Sequence, residues 1–481
     1  MEKTYLSIQT SLSVTILIGL FFIGLGYLNS KKISNNKNYI VGDRDEDTFS
    51  LTASLTASAL GAWILFGPAS AATWGGIGAV IGYSLGTAAP MLFLYNFGPK
   101  IRKEFPKGLT LTEFIKKRFG TRILKISLIL ILFYLTIFLI AEVTAIAYLL
   151  NFISQVPLWL TAGVTLIICL LYILRGGFKL SIITDKYQFS FIVVIILMSL
   201  LLILGNLDLT SYEVIKKNSP NLIDKNYLPN YTAGLTFFIA VAATNLFHQG
   251  NWQRVYAAKN YKILKQSLLI SFFIIIPIVF FMGFTGMVSF SMDPSQRPDL
   301  GFFTLLLKEQ TKTLSLLIIT LGLALTISTV DTLVNAISSL FVIDGKATFN
   351  LNKKTDYLKL SKYFIIIISL VSFFIASKGF DILYLFLLAD LFCCAFVYTV
   401  FYSFYNKDVN ERAAYIAIIV GLIGGFLLFP FPDFSKSLLV GVLISKELFS
   451  PFILQSLLFL SFVVATFLPA IILKLKKIDL Y

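Results

Sequence analysis

The sequence predicts an all-α polytopic membrane protein of about thirteen transmembrane helices. Three observations predict it. Of 481 residues, 57% are hydrophobic and only 14% are charged, against about 25% charge in soluble domains. Mean hydropathy is +0.83. Apolar runs of about 18 residues or more recur from end to end. This excludes a soluble enzyme, a disordered chain and a small disulfide scaffold.

The expected spans are 7–28, 50–73, 76–97, 124–150, 157–175, 182–204, 232–250, 264–290, 313–342, 360–377, 379–403, 412–430 and 451–473. The run after Met1 is longer than a signal-peptide core and lacks a small-residue cleavage site, so it reads as a retained first span. The stretch 433–447 is too short and polar to cross and reads as a loop or surface helix.

Lys and Arg counts in the connections orient the chain. With the N-terminus outside, the inside connections hold Lys31, Lys32, Lys37 and Arg44, then nine basic residues between Lys100 and Lys125. Arg175, Lys179 and Lys186 follow, then Arg254, Lys259, Lys262 and Lys265, then five between Lys346 and Lys362. Lys407, Arg412, Lys474, Lys476 and Lys477 complete the set, 30 of the 40 Lys and Arg in the chain. The expected location is the plasma (inner) membrane, N-terminus outside and C-terminus cytoplasmic. The net charge of +15 then faces anionic lipid, and no nucleic-acid partner is needed. Cys169, Cys393 and Cys394 lie inside apolar runs with no zinc-type spacing and read as buried small hydrophobes.

Spans two to six and seven to eleven form two sets of five. An odd number makes the second set run opposite to the first, the arithmetic of an inverted repeat. A single transporter domain is expected, with 50–204 as the first repeat, 232–403 as the second, and 7–28 and 412–473 outside them. In such a plan the first helix of each set is broken at mid-membrane. Gly61, Gly67 and Pro68 interrupt the second span. The seventh crowds Thr244, Asn245, His248, Gln249 and Asn251 where a lipid-facing helix would place nothing polar; a proline kink and an interfacial helix end are the plainer readings.

Ionisable groups within spans are costly and usually functional. Glu142 must face the interior, as part of an ion pathway or a buried hydrogen bond. Asp185 is either functional or an interfacial carboxylate paired with Lys186. Asp331 joins an ion site or caps a helix break, and Asp390 reads as an end-of-helix residue. His248, the one histidine, bonds a solute or its neighbours. Gly78, Gly82 and Gly86 form a helix-packing stripe. There is no HExxH, Walker loop or GxSxG. Ser328-Thr329 is the strongest site signal: adjacent hydroxyls facing the carbonyls of a broken helix make a neutral all-oxygen cage suited to sodium, whereas a divalent ion demands more carboxylates. The alternative is two hydroxyls bonding back to the preceding turn.

At these residues the chain resembles the sodium:solute symporter family, with its LeuT-type fold. Gly176-Gly177-Phe178-Lys179 followed by Thr184-Asp185 is similar to the family's Gly-Gly…Thr-Asp segment. Asn251-Trp252-Gln253-Arg254 through Ala257-Ala258-Lys259 is similar to its Gln-Arg…Ala-Ala-Lys segment. Ser328-Thr329 followed by Asn335, Ser338, Ser339 and Asp344 resembles its sodium-site helix. The resemblance covers about residues 7–430. It implies a sodium site of Ser328 and Thr329 hydroxyls with the Ala57, Leu60 and Leu325 carbonyls, and Asp185 beside the sodium exit path. It places the solute near Trp63, Thr244, Asn245, His248 and Gln249. Ala59 stands where some members carry Asp or Asn, and Asp185 is expected to take part of that role.

The implied function is sodium-coupled uptake of a small neutral or zwitterionic solute, no Lys or Arg lying mid-span to pair with a solute carboxylate. The runs Ala57–Trp63 and Leu111-Thr112-Glu113-Phe114 lean toward the urea-type branch, and an amino acid such as proline is the other candidate. A membrane sensor or channel on the same scaffold is the second reading. Relatives of that kind carry a kinase domain after the spans, and this chain ends within eight residues of its last expected span.

Overall fold

The computed structural model describes residues 5–29, 40–206, 210–307, 311–348, 356–406 and 409–478. Of the basic residues used to orient the chain, Lys31, Lys32, Lys37, Lys353, Lys354 and Lys407 lie outside the described residues, as do the side chains of Arg175, Lys346, Lys476 and Lys477.

Helix follows helix throughout. In chain order they are α1 (Ile8–Asn29), α2 (Thr48–Ala59), α3 (Gly67–Glu104), α4 (Leu111–Phe119), α5 (Thr121–Ser154), α6 (Leu158–Asn206) and α7 (Thr210–Asn218). Next come α8 (Leu228–Phe247), α9 (Gln249–Ala257), α10 (Tyr261–Met292), α11 (Gly301–Leu306), α12 (Lys312–Thr348) and α13 (Tyr357–Ala376). The chain closes with α14 (Ile382–Tyr402), α15 (Glu411–Leu428), α16 (Pro451–Gln455) and α17 (Leu457–Ile478). Among the described residues, ten helices are long and apolar enough to cross a membrane. The second, fifth and seventh expected spans are not among the ten. The second and seventh are broken, and the fifth supplies only a shorter apolar stretch, Leu158–Leu171. The segment 433–447 is a set of tight turns, with isolated bridges from Pro430 to Ser437 and from Val440 to Ile444.

Two glycines fold adjacent spans onto each other. Gly76 (φ 52°, ψ −150°) divides α3 where the second expected span gives way to the third. Gly177 (φ 55°, ψ −150°) divides α6 between the fifth and sixth. Only glycine occupies that region without strain. A Cβ on Gly76 would also lie 2.2 Å from the Leu222 carbonyl oxygen.

The glycine stripe is a packing seam. Cβ atoms on Gly78, Gly82 and Gly86 would fall 1.8, 2.0 and 2.7 Å from the carbonyl oxygens of Asn230, Gly234 and Phe237. The backbones of α3 and α8 therefore nearly touch. In lipid there is no hydrophobic force between helices, so such close van der Waals contact supplies the association. Two helices, α12 and α14, are the most buried of the ten; α12 packs on α5 and α6, on α2 and on the turn that follows α2.

Candidate ion and solute site

The first break begins where α2 ends. Leu60 (φ −103°, ψ 82°) leaves the helix and Gly61 (φ −81°, ψ 177°) is fully extended. One short 3-10 turn, Ala62–Leu65, carries the chain to Gly67 and Pro68. Proline there costs no hydrogen bond, because the first amides of a helix have no internal partner. Leu60 N–H donates to Thr56 O at 3.0 Å, and among the described residues no hydrogen bond reaches the carbonyls of Ala57 or Leu60. On the other side of the break, Glu142 of α5 accepts from Ala62 N–H at 2.9 Å and from Trp63 N–H at 3.4 Å. Glu142 is thus a buried hydrogen-bonding carboxylate that caps the break from another helix. Gly61 makes room for it, since a Cβ there would lie 2.2 Å from Glu142 Oε1.

Facing this break, α12 buries Leu325, Ser328 and Thr329 completely. Neither hydroxyl bonds back to its own helix. Ser328 Oγ donates to Asp185 Oδ1 at 2.5 Å. A hydroxyl that gives its proton to a carboxylate keeps both lone pairs for a cation. Thr329 Oγ1 is buried without a hydrogen-bond partner, and such groups in a native core call for an explanation.

Asp185 pairs with Arg254, at 3.0 Å, rather than with Lys186. It is fully buried and also accepts from Ser54 Oγ at 2.5 Å. The sequence reading places Arg254 in an inside connection, and the structure adds that its side chain is buried rather than solvent-facing. Arg254 is fully buried in α9, where it donates to Ser54 (2.8 Å), Gly250 O (3.0 Å), Asp185 and Thr332 (2.9 Å). Asp331 accepts from Ser181 at 2.6 Å and, more distantly, Thr184 at 3.5 Å, both on α6.

The second break is one residue, His248 (φ −64°, ψ 103°), between α8 and α9. His248 Nδ1 accepts from Gly250 N–H at 3.1 Å. This assigns the proton of the neutral ring to Nε2, which is buried and unpartnered. Aromatic rings join the two breaks. Trp63 stacks on Tyr83 at 5.4 Å and tilts over Phe386 at 5.7 Å. Phe386 meets Phe138 at 4.8 Å, and Phe138 and Tyr134 lie 5.8 and 6.2 Å from His248. The structure thus links Trp63 and His248. Thr244 belongs to the same region: its hydroxyl donates to Ala240 O at 2.9 Å and sits beside Asp390.

Asp390 is another correction. It is buried in mid-α14 rather than at a helix end. Two further expected solute residues make hydrogen bonds to the backbone. Gln249 accepts from Leu111 N–H at 3.2 Å and donates to Leu109 O at 3.0 Å, clasping the chain before α4. Asn245 donates back to Val241 O at 3.0 Å. Sequence reasoning did not single out Tyr83, Tyr134, Phe138 or Phe386, which look like ordinary apolar-run residues until the helices pack.

The profile of the sodium:solute symporter family matches residues 39–421. The chain belongs to that family. It is a multi-pass membrane protein of a class of sodium-coupled transporters, not of enzymes. The spermidine transporter DUR31 of Candida albicans is 25% identical over 428 residues, covering 87% of this chain and 80% of that protein. The sodium/proline symporter of Salmonella typhimurium is 29% identical over 233 residues, 46% of this chain and 45% of that protein. The human sodium/glucose cotransporter 4 is 24% identical over 315 residues, 59% of this chain and 45% of that protein. The match therefore spans less than half the length of the last two. Among solved structures, an outward-open, substrate-bound sodium-coupled sialic acid symporter superposes with a TM-score of 0.73 at 18% identity, covering 96% of this chain and 98% of that one. Mhp1, a nucleobase-cation-symport-1 family transporter, gives 0.54 at 14% identity, with 93% and 96% covered. These likenesses place the fold in the LeuT-type class.

Proposed function

We propose that this protein couples inward sodium movement to uptake of a small polar solute without net negative charge, by alternating access. The observation that carries the reading is the face of α12 against the first break. Two carbonyls that receive no hydrogen bond, Ala57 and Leu60, lie at the end of α2, which packs on α12; on α12 the Thr329 hydroxyl is buried and unpartnered and the Ser328 hydroxyl is polarised by Asp185. With the Leu325 carbonyl this is a five-oxygen neutral set, fitted to a monovalent hard cation. Asp185, held by Arg254, supplies negative charge one hydroxyl away and lines the sodium exit path.

The solute lies between the breaks, against Trp63, Thr244 and His248. The sequence shows no Lys or Arg mid-span, which favours a neutral or zwitterionic solute; the buried Arg254 is paired with Asp185 and, among the described residues, leaves no free buried cation to repel a positively charged one. The named relatives carry spermidine, proline and glucose, so urea, amino acids and amines belong in one screen. Residues 50–204 and 232–403 form the two inverted repeats, with 7–28 and 412–473 outside them, and the basic connections face the cytoplasm of the plasma membrane. Coupling requires that each ligand favour one state over the other. The membrane potential contributes about 2.3 kcal/mol per charge per 100 mV.

Uptake by purified protein in proteoliposomes tests the reading. Saturable accumulation that needs an inward sodium gradient is expected. Equal flux in potassium alone would sink it.

A further inference from the structure

Among the described residues the buried charged side chains are five carboxylates, Glu142, Asp185, Asp331, Asp344 and Asp390, and one guanidinium, Arg254. Arg254 is committed to Asp185. Asp331 and Asp344 accept from Ser181 and Thr112, away from the aromatic rings. Asp390 is different. No cation faces it among the described residues, and Thr244 is its side-chain hydrogen-bonding neighbour. Its helix, α14, packs on α5, which carries Tyr134 and Phe138, and on α8, which carries Thr244. A carboxylate inside a membrane protein is expensive without a partner. One turn before Asp390 on α14, Phe386 packs with Trp63 and Phe138; Phe138 stacks with Tyr134, whose hydroxyl is buried and unpartnered, and such ring faces stabilise an ammonium.

The same region is poorly suited to a solute carboxylate. The amides of the first break, the natural seat for one, already hold Glu142. What the site still offers is neutral donors: Trp63 Nε1 and, by its tautomer, His248 Nε2, both buried and unpartnered. These suit a hydroxyl or carbonyl oxygen on the solute.

We propose that the solute is an organic ammonium ion, its charged nitrogen held by Asp390 and the Tyr134 hydroxyl within the aromatic rings that join the breaks. The proposal rests on the solute position given above and names its chemical class. Cationic amines bind more tightly than amino acids of the same size, and urea does not compete.

The test uses the full chain in detergent, with thermal stabilisation read in sodium and, separately, in potassium. The probes are 2-aminoethanol, 1,4-diaminobutane, glycine and urea. Expected is stabilisation by both amines in sodium, at least tenfold weaker binding of glycine, and none by urea. Asp390→Asn should weaken 2-aminoethanol at least tenfold while the shift given by sodium alone persists; Asp390→Glu should recover part of the affinity. If Asp390→Asn fails to fold, the 2-aminoethanol and glycine comparison on the unaltered chain decides. Glycine or urea binding more tightly than 2-aminoethanol, or unchanged amine affinity in a folded Asp390→Asn, overturns the proposal. Sodium stabilisation with no response to amines overturns it and leaves sodium coupling standing. Amine binding equal in sodium and potassium supports the solute class and counts against coupling instead.

Discussion

The two breaks solve the same problem in opposite ways. Each frees backbone groups in a setting with no water to satisfy them. The second break is satisfied from within its own segment. His248 Nδ1 takes the Gly250 amide, Asn251 Nδ2 donates to Asn245 O at 3.0 Å, and Trp252 Nε1 donates to Leu246 O at 2.8 Å. The first break is satisfied on one side only, and from another helix, by Glu142. Its carbonyl side is left open toward α12. The difference teaches where an ion can go: a break whose carbonyls are taken by neighbouring side chains has nothing to offer a cation, and a break whose carbonyls receive nothing does.

Arg254 ties the two together, and its loss is the largest expected effect. Arg254→Met strands Asp185 as a buried unpaired charge and should cost about 3–5 kcal/mol, measured by denaturant unfolding in detergent. An Arg254→Met, Asp185→Asn double variant should recover much of that. If the double variant is no more stable than the single one, the ion pair is not what joins the breaks. Glu142→Ala orphans two amides and should cost about 2–4 kcal/mol by the same measurement. His248→Ala removes a local cap worth about 1 kcal/mol along with the ring's edge contacts on Tyr134 and Phe138, and is still expected to cost less than Glu142→Ala. A larger loss at His248 than at Glu142 would reverse the comparison.

Ser328→Ala together with Thr329→Ala should raise the sodium concentration for half-maximal stabilisation at least tenfold, about 1.4 kcal/mol per tenfold. The same readout should move little in His248→Ala if the second break has no part in ion binding. The smallest effect concerns Asp47, which caps α2 and accepts from Ser50 N–H at 2.7 Å. That hydrogen bond, ahead of the opposing cost of burial, holds its carboxyl below the ordinary 3.8. A depressed carboxyl stabilises above its unfolded value and loses that contribution as the pH falls through the folded one. The melting difference between the parent chain and Asp47→Ala, set by about 1 kcal/mol of capping, should therefore shrink between pH 6 and pH 3.

Much of the scaffold is legible because it is written in backbone terms. Gly61, Gly67 and Pro68 mark the first break, the polar run from Thr244 to Asn251 marks the second, and the four-residue glycine spacing marks a seam. Residue type alone carries these messages. What was not legible depends on which way a side chain turns once helices pack. Arg254 reads as one more positive charge at a membrane edge until α2 and α6 bring Ser54 and Asp185 to it. Asp390 reads as a helix end because nothing in its own helix explains it; Thr244, brought to it by α8, does. Gln249 looks like a solute ligand by position, yet its amide is engaged by a chain segment well over a hundred residues away. The count of spans is blurred for the same reason: α2 is too short to register as a membrane helix, and α8, though long enough, is not among the ten that pass on length and hydropathy.

The Gln249 clasp also bears on how this molecule could be watched at work. One side-chain amide borrows the N–H of Leu111 and the C=O of Leu109, as a neighbouring strand would. The short amphipathic α4 is thereby leashed to the far half of the second break, and any tilt of α9 must drag it along. Lys107, exposed two residues before that leash, is a place to hang a fluorophore whose brightness would follow the tilt in real time.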